Sequence, residues 1–264
     1  MRLRARCTPG VSVLLRDYLA MKTSKILLLT MTIGASLTAN AADWKGQGEA
    51  GIVVSSGNTD SENANVGLSF INEGEVWTHE LGFGLYRASN NDIDSAESFN
   101  ADYTIKRDLS ERRFIFGSLS FLDDEFDGFT EQVSLGAGYG YRIFDTEPRG
   151  WEVGAGIGFR DTSELSILDD GSEIEGEDLS GATLILRSDY RQKLTSNTEF
   201  QNKFVAEIGS DNTYVESDTA LLVAMNEAFS LKAGVLIRHN TDPAEGADET
   251  DTITSINLVY NFNQ

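Results

Sequence analysis

A chain of 264 residues with 42 acidic side chains against 21 basic ones has a formal charge of −21, the wrong sign for neutralising phosphates, which argues against a nucleic-acid partner. One cysteine and two histidines leave no disulfide within the chain and no Cys- or His-rich metal centre. No apolar run reaches the roughly 20 residues of a membrane-spanning helix, but that test is blind to β-barrels, whose strands carry apolar residues only at every second position.

The first segment with a recognisable design is Met21-Lys-Thr-Ser-Lys25, a short basic start followed by the apolar stretch Ile26 to Leu37 and the small-residue exit Ala39-Asn40-Ala41. Basic start, apolar run and A-x-A exit in that order are the parts of a secretory signal peptide. Residues 1–20, with arginines at 2, 4, 6 and 16, then read as an upstream extension or a long n-region. The mature chain is expected to span 42–264 and to be exported. It holds no cysteine.

Beyond residue 42 nearly everything alternates with period two, the repeat of a β-strand with one apolar and one polar face. Strands are expected near 44–56, 62–72, 76–88, 97–108, 112–122, 130–144, 150–161, 179–191, 197–208, 214–226, 229–240 and 251–263. In the second, Ala64, Val66, Leu68 and Phe70 alternate with Asn63, Asn65, Gly67 and Ser69. In the seventh, Trp151, Val153, Ala155, Ile157 and Phe159 oppose Glu152, Gly154, Gly156, Gly158 and Arg160. The fifth, Arg113 to Leu122, is too evenly apolar to give its faces away.

The connections alternate as well. Those after odd strands (57–61, 89–96, 123–129, 162–178, 209–213 and 241–250) are longer and acidic, whereas those after even strands are mostly tight turns. Tight turns on one rim and longer loops on the other are the pattern of an outer-membrane barrel, and a Greek-key sandwich has no reason to obey it. The fold class is therefore all-β: a transmembrane antiparallel up-and-down β-barrel of about twelve strands. Its apolar faces meet lipid, both termini lie on the periplasmic rim, and the chain resides in the bacterial outer membrane. Trp44, Trp77, Trp151, Phe229, Tyr260 and Phe262 fall on that same rim and form the expected aromatic girdle.

The turn Ser56-Gly57-Asn58-Thr59-Asp60-Ser61, preceded by Gly48-Glu49-Ala50-Gly51, resembles the signature of a bacterial family of unknown function that includes the salt-induced outer-membrane proteins of the YdiY type. The resemblance extends over about residues 43 to 264 and includes the closing Asn257-Leu-Val-Tyr-Asn-Phe262 strand. It implies an outer-membrane barrel and a link to salt or envelope stress, and it brings no catalytic residues. The chain departs from the usual aromatic ending of such barrels, since Asn263 and Gln264 follow Phe262.

Two constellations bear on function. Acids crowd 57–62, 89–97, 123–131, 161–178, 211–218 and 242–251, which contain no Lys or Arg. They read either as a solvated rim or as oxygen ligands for loosely bound calcium or magnesium, with Asp123, Glu125, Asp127, Asp169, Asp170 and Glu173 as candidates. Such ions would also bridge the rim to lipopolysaccharide phosphates. Asp123 to Gly128 imitates the first half of an EF-hand loop, but Ser134 stands where the bidentate Glu belongs. The second constellation is the polar strand faces. Lys106, Arg142, Arg160, Arg187, Lys203, Lys232 and Arg238 are set against Glu49, Glu80, Asp102, Glu152, Glu199 and Glu207, and they line a lumen as either a plug of paired charges or a narrow selective path. Inward glycines at 136, 138, 140, 154, 156 and 158 would give room or curvature; no helix follows them, so a nucleotide loop is not indicated.

No nucleophile–His–acid arrangement is recognisable, so an enzyme is not expected; an outer-membrane lipid hydrolase using His239 is the third alternative. Apart from those loosely bound ions no cofactor is expected. The expected partners are outer-membrane lipid, lipopolysaccharide and, during biogenesis, the barrel-assembly machinery.

Overall fold

The computed structural model describes residues 44–56, 61–90, 93–124, 129–167, 173–210, 212–243 and 248–262. Twelve strands follow one another: β1 (Trp44–Ser56), β2 (Ser61–Glu73), β3 (Trp77–Asn90), β4 (Ile93–Ser110), β5 (Arg113–Asp124), β6 (Phe129–Thr146), β7 (Arg149–Ile167), β8 (Glu173–Lys193), β9 (Thr198–Ile208), β10 (Thr213–Ala224), β11 (Phe229–Asn240) and β12 (Thr250–Phe262). Each pairs antiparallel with its neighbours in sequence, and β1 pairs with β12 to close the barrel. Closure follows from solvent: hydrocarbon offers no partner to a free N–H or C=O, so a sheet in lipid cannot keep an edge.

The alternation decides which solvent meets which face. Ile52, Leu135, Ile157 and Ile256 point outward with 58–75% of their surface exposed. Each would forfeit roughly 1.5–3 kcal/mol of burial if left in water, so this belt has to be covered by lipid. In β5 the unassigned faces resolve. Phe114 and Phe116 point inward and are buried, while Ile115 and Arg113 point outward.

Inward aromatic rings need space that a polar lumen does not ordinarily give, and the glycines supply it. Gly140 lies in register with Phe114 and Gly138 with Phe116. A methyl group at Gly154 would stand 3.0 Å from the Phe116 ring, and one at Gly158 would stand 2.7 Å from Ile185 Cδ1. The inward glycines of β6 and β7 are thus a floor on which Phe114, Phe116 and Ile185 pack.

Four strands are longer than the alternation indicates. β4 and β6 have 18 residues, β7 has 19 and β8 has 21, against the 9–11 or so that cross a bilayer. The expected loop 162–178 is therefore mostly strand, with β7 reaching Ile167 and β8 starting at Glu173. Polar residues can continue a hairpin beyond the lipid because pairing satisfies their backbone groups as well as water does.

Placing a cation in the lipid belt is expected to be costly. Ile157→Arg should destabilise the barrel by about 2–4 kcal/mol, as for Arg near a bilayer midplane. The measure is the fraction refolded into vesicles, read as the heat-modifiable band on unheated gels.

Candidate functional site

The barrel interior is where charged side chains meet, and strand registers bring them there. Inward positions of β3, β4, β6 and β7 place Glu80, Lys106, Asp108, Arg142 and Glu152 around one point. Lys106 Nζ lies 2.8 Å from Glu80 and 2.7 Å from Glu152. Arg142 reaches the other oxygen of Glu152 at 2.9 Å and Asp108 at 2.8 Å. Both cations stand over the Phe114 ring, at 5.6 and 5.1 Å from its centroid, so the aromatic face shares in holding their charge.

Further contacts reach across the interior. Arg187 on β8 donates to Thr104 Oγ1 on β4 at 3.3 Å and stacks over Phe116 on β5. Ser134 on β6 donates to Glu207 on β9 at 2.9 Å. Arg160 lies 3.9 Å from the same carboxylate and donates to the Asn212 carbonyl. These side chains, with the packed rings, crowd the β4–β8 side of the lumen, with Glu80 reaching in from β3 and Glu207 from β9.

The remaining arc is looser. Lys232 pairs with Glu49 at 3.2 Å and reaches Asp218 at 4.0 Å. Arg238 pairs with Glu216 at 3.3 Å, and Tyr214 donates to that same carboxylate. Glu199 accepts from Gln201. Lys203 is set between Asp189 and Asp218 on its two neighbouring strands, and Asp102 lies within its electrostatic reach from β4. Lys203 and Asp102 point inward yet are exposed, so this side of the lumen is accessible to water.

Interior acids beyond those expected are Asp108, Asp189, Glu216, Asp218 and Asp251. Strand parity carries the signal for most of them, since Asp189 shares a face with Arg187 and Asp218 with Tyr214. Glu216, Asp218 and Asp251 correct the picture of the acidic rim, because they belong to the barrel wall and the latter is buried beside Arg238 in register.

Of the divalent-cation candidates, Glu125, Asp127, Asp169 and Asp170 lie outside the described residues, as does the side chain of Glu173. Asp123 ends up in β5 and Ser134 in β6, which leaves only 125–128 between those strands and no room for a twelve-residue loop. Among the described residues no three metal-ligating side chains gather.

The aromatic residues form outward contacts near the short-turn rim. Phe70 meets Phe262, Phe229 meets Tyr260, and Tyr260 meets Phe262. Trp44 meets His79, which stacks on Tyr103, and Trp151 meets Phe144 and Tyr190. Trp77 is covered by Arg107. Phe144 joins them through a bulge: the register shifts between Arg142 and Phe144 and turns its ring outward. Both histidines are on the outer surface. His239 shares a 2.8 Å hydrogen bond with Thr250, but no third group orients its ring among the described residues, so the pair falls short of a nucleophilic triad.

Residues 48–262 match the family model described as "Protein of unknown function, DUF481". The chain belongs to that family. It is 29% identical over 220 residues to the uncharacterized protein YdiY of Escherichia coli (strain K12), covering 83% of each. Among solved structures it is similar to the NanC porin, at 7% identity and a TM-score of 0.50, covering 81% of this chain and 98% of that one. It is also similar to the translocator domain of autotransporter NalP from Neisseria meningitidis, at 12% identity and a TM-score of 0.49, covering 93% and 98%. The expected twelve-stranded outer-membrane β-barrel fold and the YdiY-type family are thus both found.

Glu152 is the acid shared by Lys106 and Arg142. Glu152→Ala should cost about 2 kcal/mol, less than the ~3–5 of a fully buried pair because water reaches this carboxylate. The readout is the urea midpoint of the refolded barrel, followed by tryptophan fluorescence.

Proposed function

We propose that this DUF481 protein is an integral outer-membrane barrel with a narrow, cation-preferring water path along the side of its lumen opposite the packed rings. The observation that supports it is Lys203, exposed inside the barrel with Asp102, Asp189 and Asp218 around it. With Lys232 and Arg238 counted, this arc sets three cations against Glu49, Asp102, Asp189, Glu216 and Asp218, which leaves the path negative, and charged linings of this kind set ionic selectivity. The ion-paired β4–β8 side restricts the bore, which favours small ions over bulky solutes. An acidic path and an acidic outer rim would be screened as ionic strength rises, since the Debye length falls from about 10 Å at 0.1 M salt to about 3 Å at 1 M. That dependence gives the salt-stress resemblance a physical basis.

Conductance of the refolded residues 42–264 in planar bilayers under a salt gradient tests the reading. The expected result is small discrete steps with a reversal potential of cationic sign. Lys203→Glu should deepen that preference, and Asp102→Asn with Asp218→Asn should weaken it. A barrel that resists heat and protease but stays silent would refute the path.

Export through the 21–41 segment is part of the same proposal. Amino-terminal sequencing of protein recovered from the outer-membrane fraction should begin near Ala42. A start at or before Met21 would refute a cleaved signal peptide.

A further inference from the structure

The short-turn rim is chemically lopsided. Around β3 to β7 its outward positions are basic or aromatic: Trp77, Arg107, Arg113, Tyr141, Phe144 and Arg149. Of the strand carboxylates of this arc, Glu80, Asp108 and Glu152 point inward and are occupied by Lys106 and Arg142, while Asp145 ends β6 opposite Gly150. The turns add Glu75, Glu111 and Glu147, the last paired with Lys193. On the other arc the outward rim residues are neutral, among them Tyr190, Phe200, Phe229, Tyr260 and Phe262.

Within the basic arc the registers set a definite spacing. Arg107 is opposite Trp77 on one side and Ile115 on the other, and Arg113 is two residues beyond Ile115 towards the rim, opposite Tyr141. Diagonal neighbours of this kind stand about 7–8 Å apart, a gap that two guanidinium groups can close around one phosphate. Both arginines are exposed. Among the described residues neither is in an ion pair; Arg107 instead lies on the Trp77 ring, 5.5 Å from its centroid. Arg112 hydrogen-bonds Tyr141 and so flanks the gap, while Arg149 lies over Phe144, 5.3 Å from its centroid, two strands away on β7.

Guanidinium groups beside an aromatic belt sit at headgroup depth, where the anion in supply is a lipid phosphodiester. We infer that Arg107 and Arg113 hold the headgroup of an anionic phospholipid of the periplasmic leaflet, with Trp77 and Tyr141 against its glycerol and upper acyl chains. The short-turn rim faces that leaflet in barrels of this class, and the charge complementarity is confined to one arc.

The test uses the refolded barrel in bilayers with brominated phosphatidylglycerol or brominated phosphatidylcholine at equal fraction in an unlabelled phosphatidylcholine background. Trp77 and Trp151 lie on the basic arc, so phosphatidylglycerol should quench tryptophan more strongly. Each basic residue near an anionic surface contributes about 1 kcal/mol. Arg107→Gln with Arg113→Gln should therefore lower the preference for phosphatidylglycerol by roughly thirtyfold, while Lys45→Gln with Lys193→Gln at the same rim should leave it unchanged. Equal quenching by the two lipids in the unmodified protein would overturn the assignment, whether or not the variants refold. So would an unchanged preference in the Arg107/Arg113 variant, or an equal loss in the Lys45/Lys193 variant.

Discussion

The structure depends on the absence of water in the hydrocarbon layer. Every N–H and C=O of a spanning segment must be bonded within the protein, so twelve strands can be stable there only if the twelfth returns to the first. The β1–β12 ladder, running from Gly46 opposite Phe262 to Ser56 opposite Thr252, is that return. Once the sheet is closed, side chains have only two destinations, lipid and lumen. Period-two alternation assigns each residue to one of them, so charge collects inside and apolar surface outside without any core in the soluble-protein sense.

The interior then obeys a different economy from either a core or a surface. Its charges are too many to be left unpaired at low dielectric and too close to water to need complete pairing. Two regimes result within one lumen. Where aromatic rings stand on a glycine floor, Lys106, Arg142 and Glu152 are in close ion pairs. Where no rings intrude, Lys203 and Asp102 remain exposed, and the wall keeps an acidic character that passing ions would sense.

Much of this was legible in the residues themselves. Strand count, order and most boundaries follow from period two and from alternating connection length, because a barrel wall repeats one simple pattern. The parity of Lys106, Glu152 or Lys203 is enough to send each inward. What resisted reading was whatever breaks parity or depends on the far wall. Phe144 has the parity of Arg142 yet faces lipid, because a bulge invisible in composition reverses it. Phe114 and Phe116 look like lipid-facing residues by hydrophobicity, and only the matching glycines one strand away explain why they turn in. The acids at 216, 218 and 251 fall inside the expected strands yet count with the acidic rim by composition, because acidic runs and strand ends overlap along the chain. The bond between Ser134 and Glu207 joins strands three apart, a relation that needs the curvature of the closed sheet.

The glycine floor has a consequence for the order of assembly. Phe114, Phe116 and Ile185 pack against glycines on strands adjacent to their own or nearly so, so these contacts have low sequence separation and can form while the sheet is still open. The packed side of the lumen can therefore be completed as a curved half-wall, before the first and last strands meet. The contact between Lys232 and Glu49 belongs to the opposite category: it spans the seam and can form only when the cylinder shuts. Packing within the β4–β8 side would thus set how readily the wall forms, and ion pairing at the seam how firmly it stays closed.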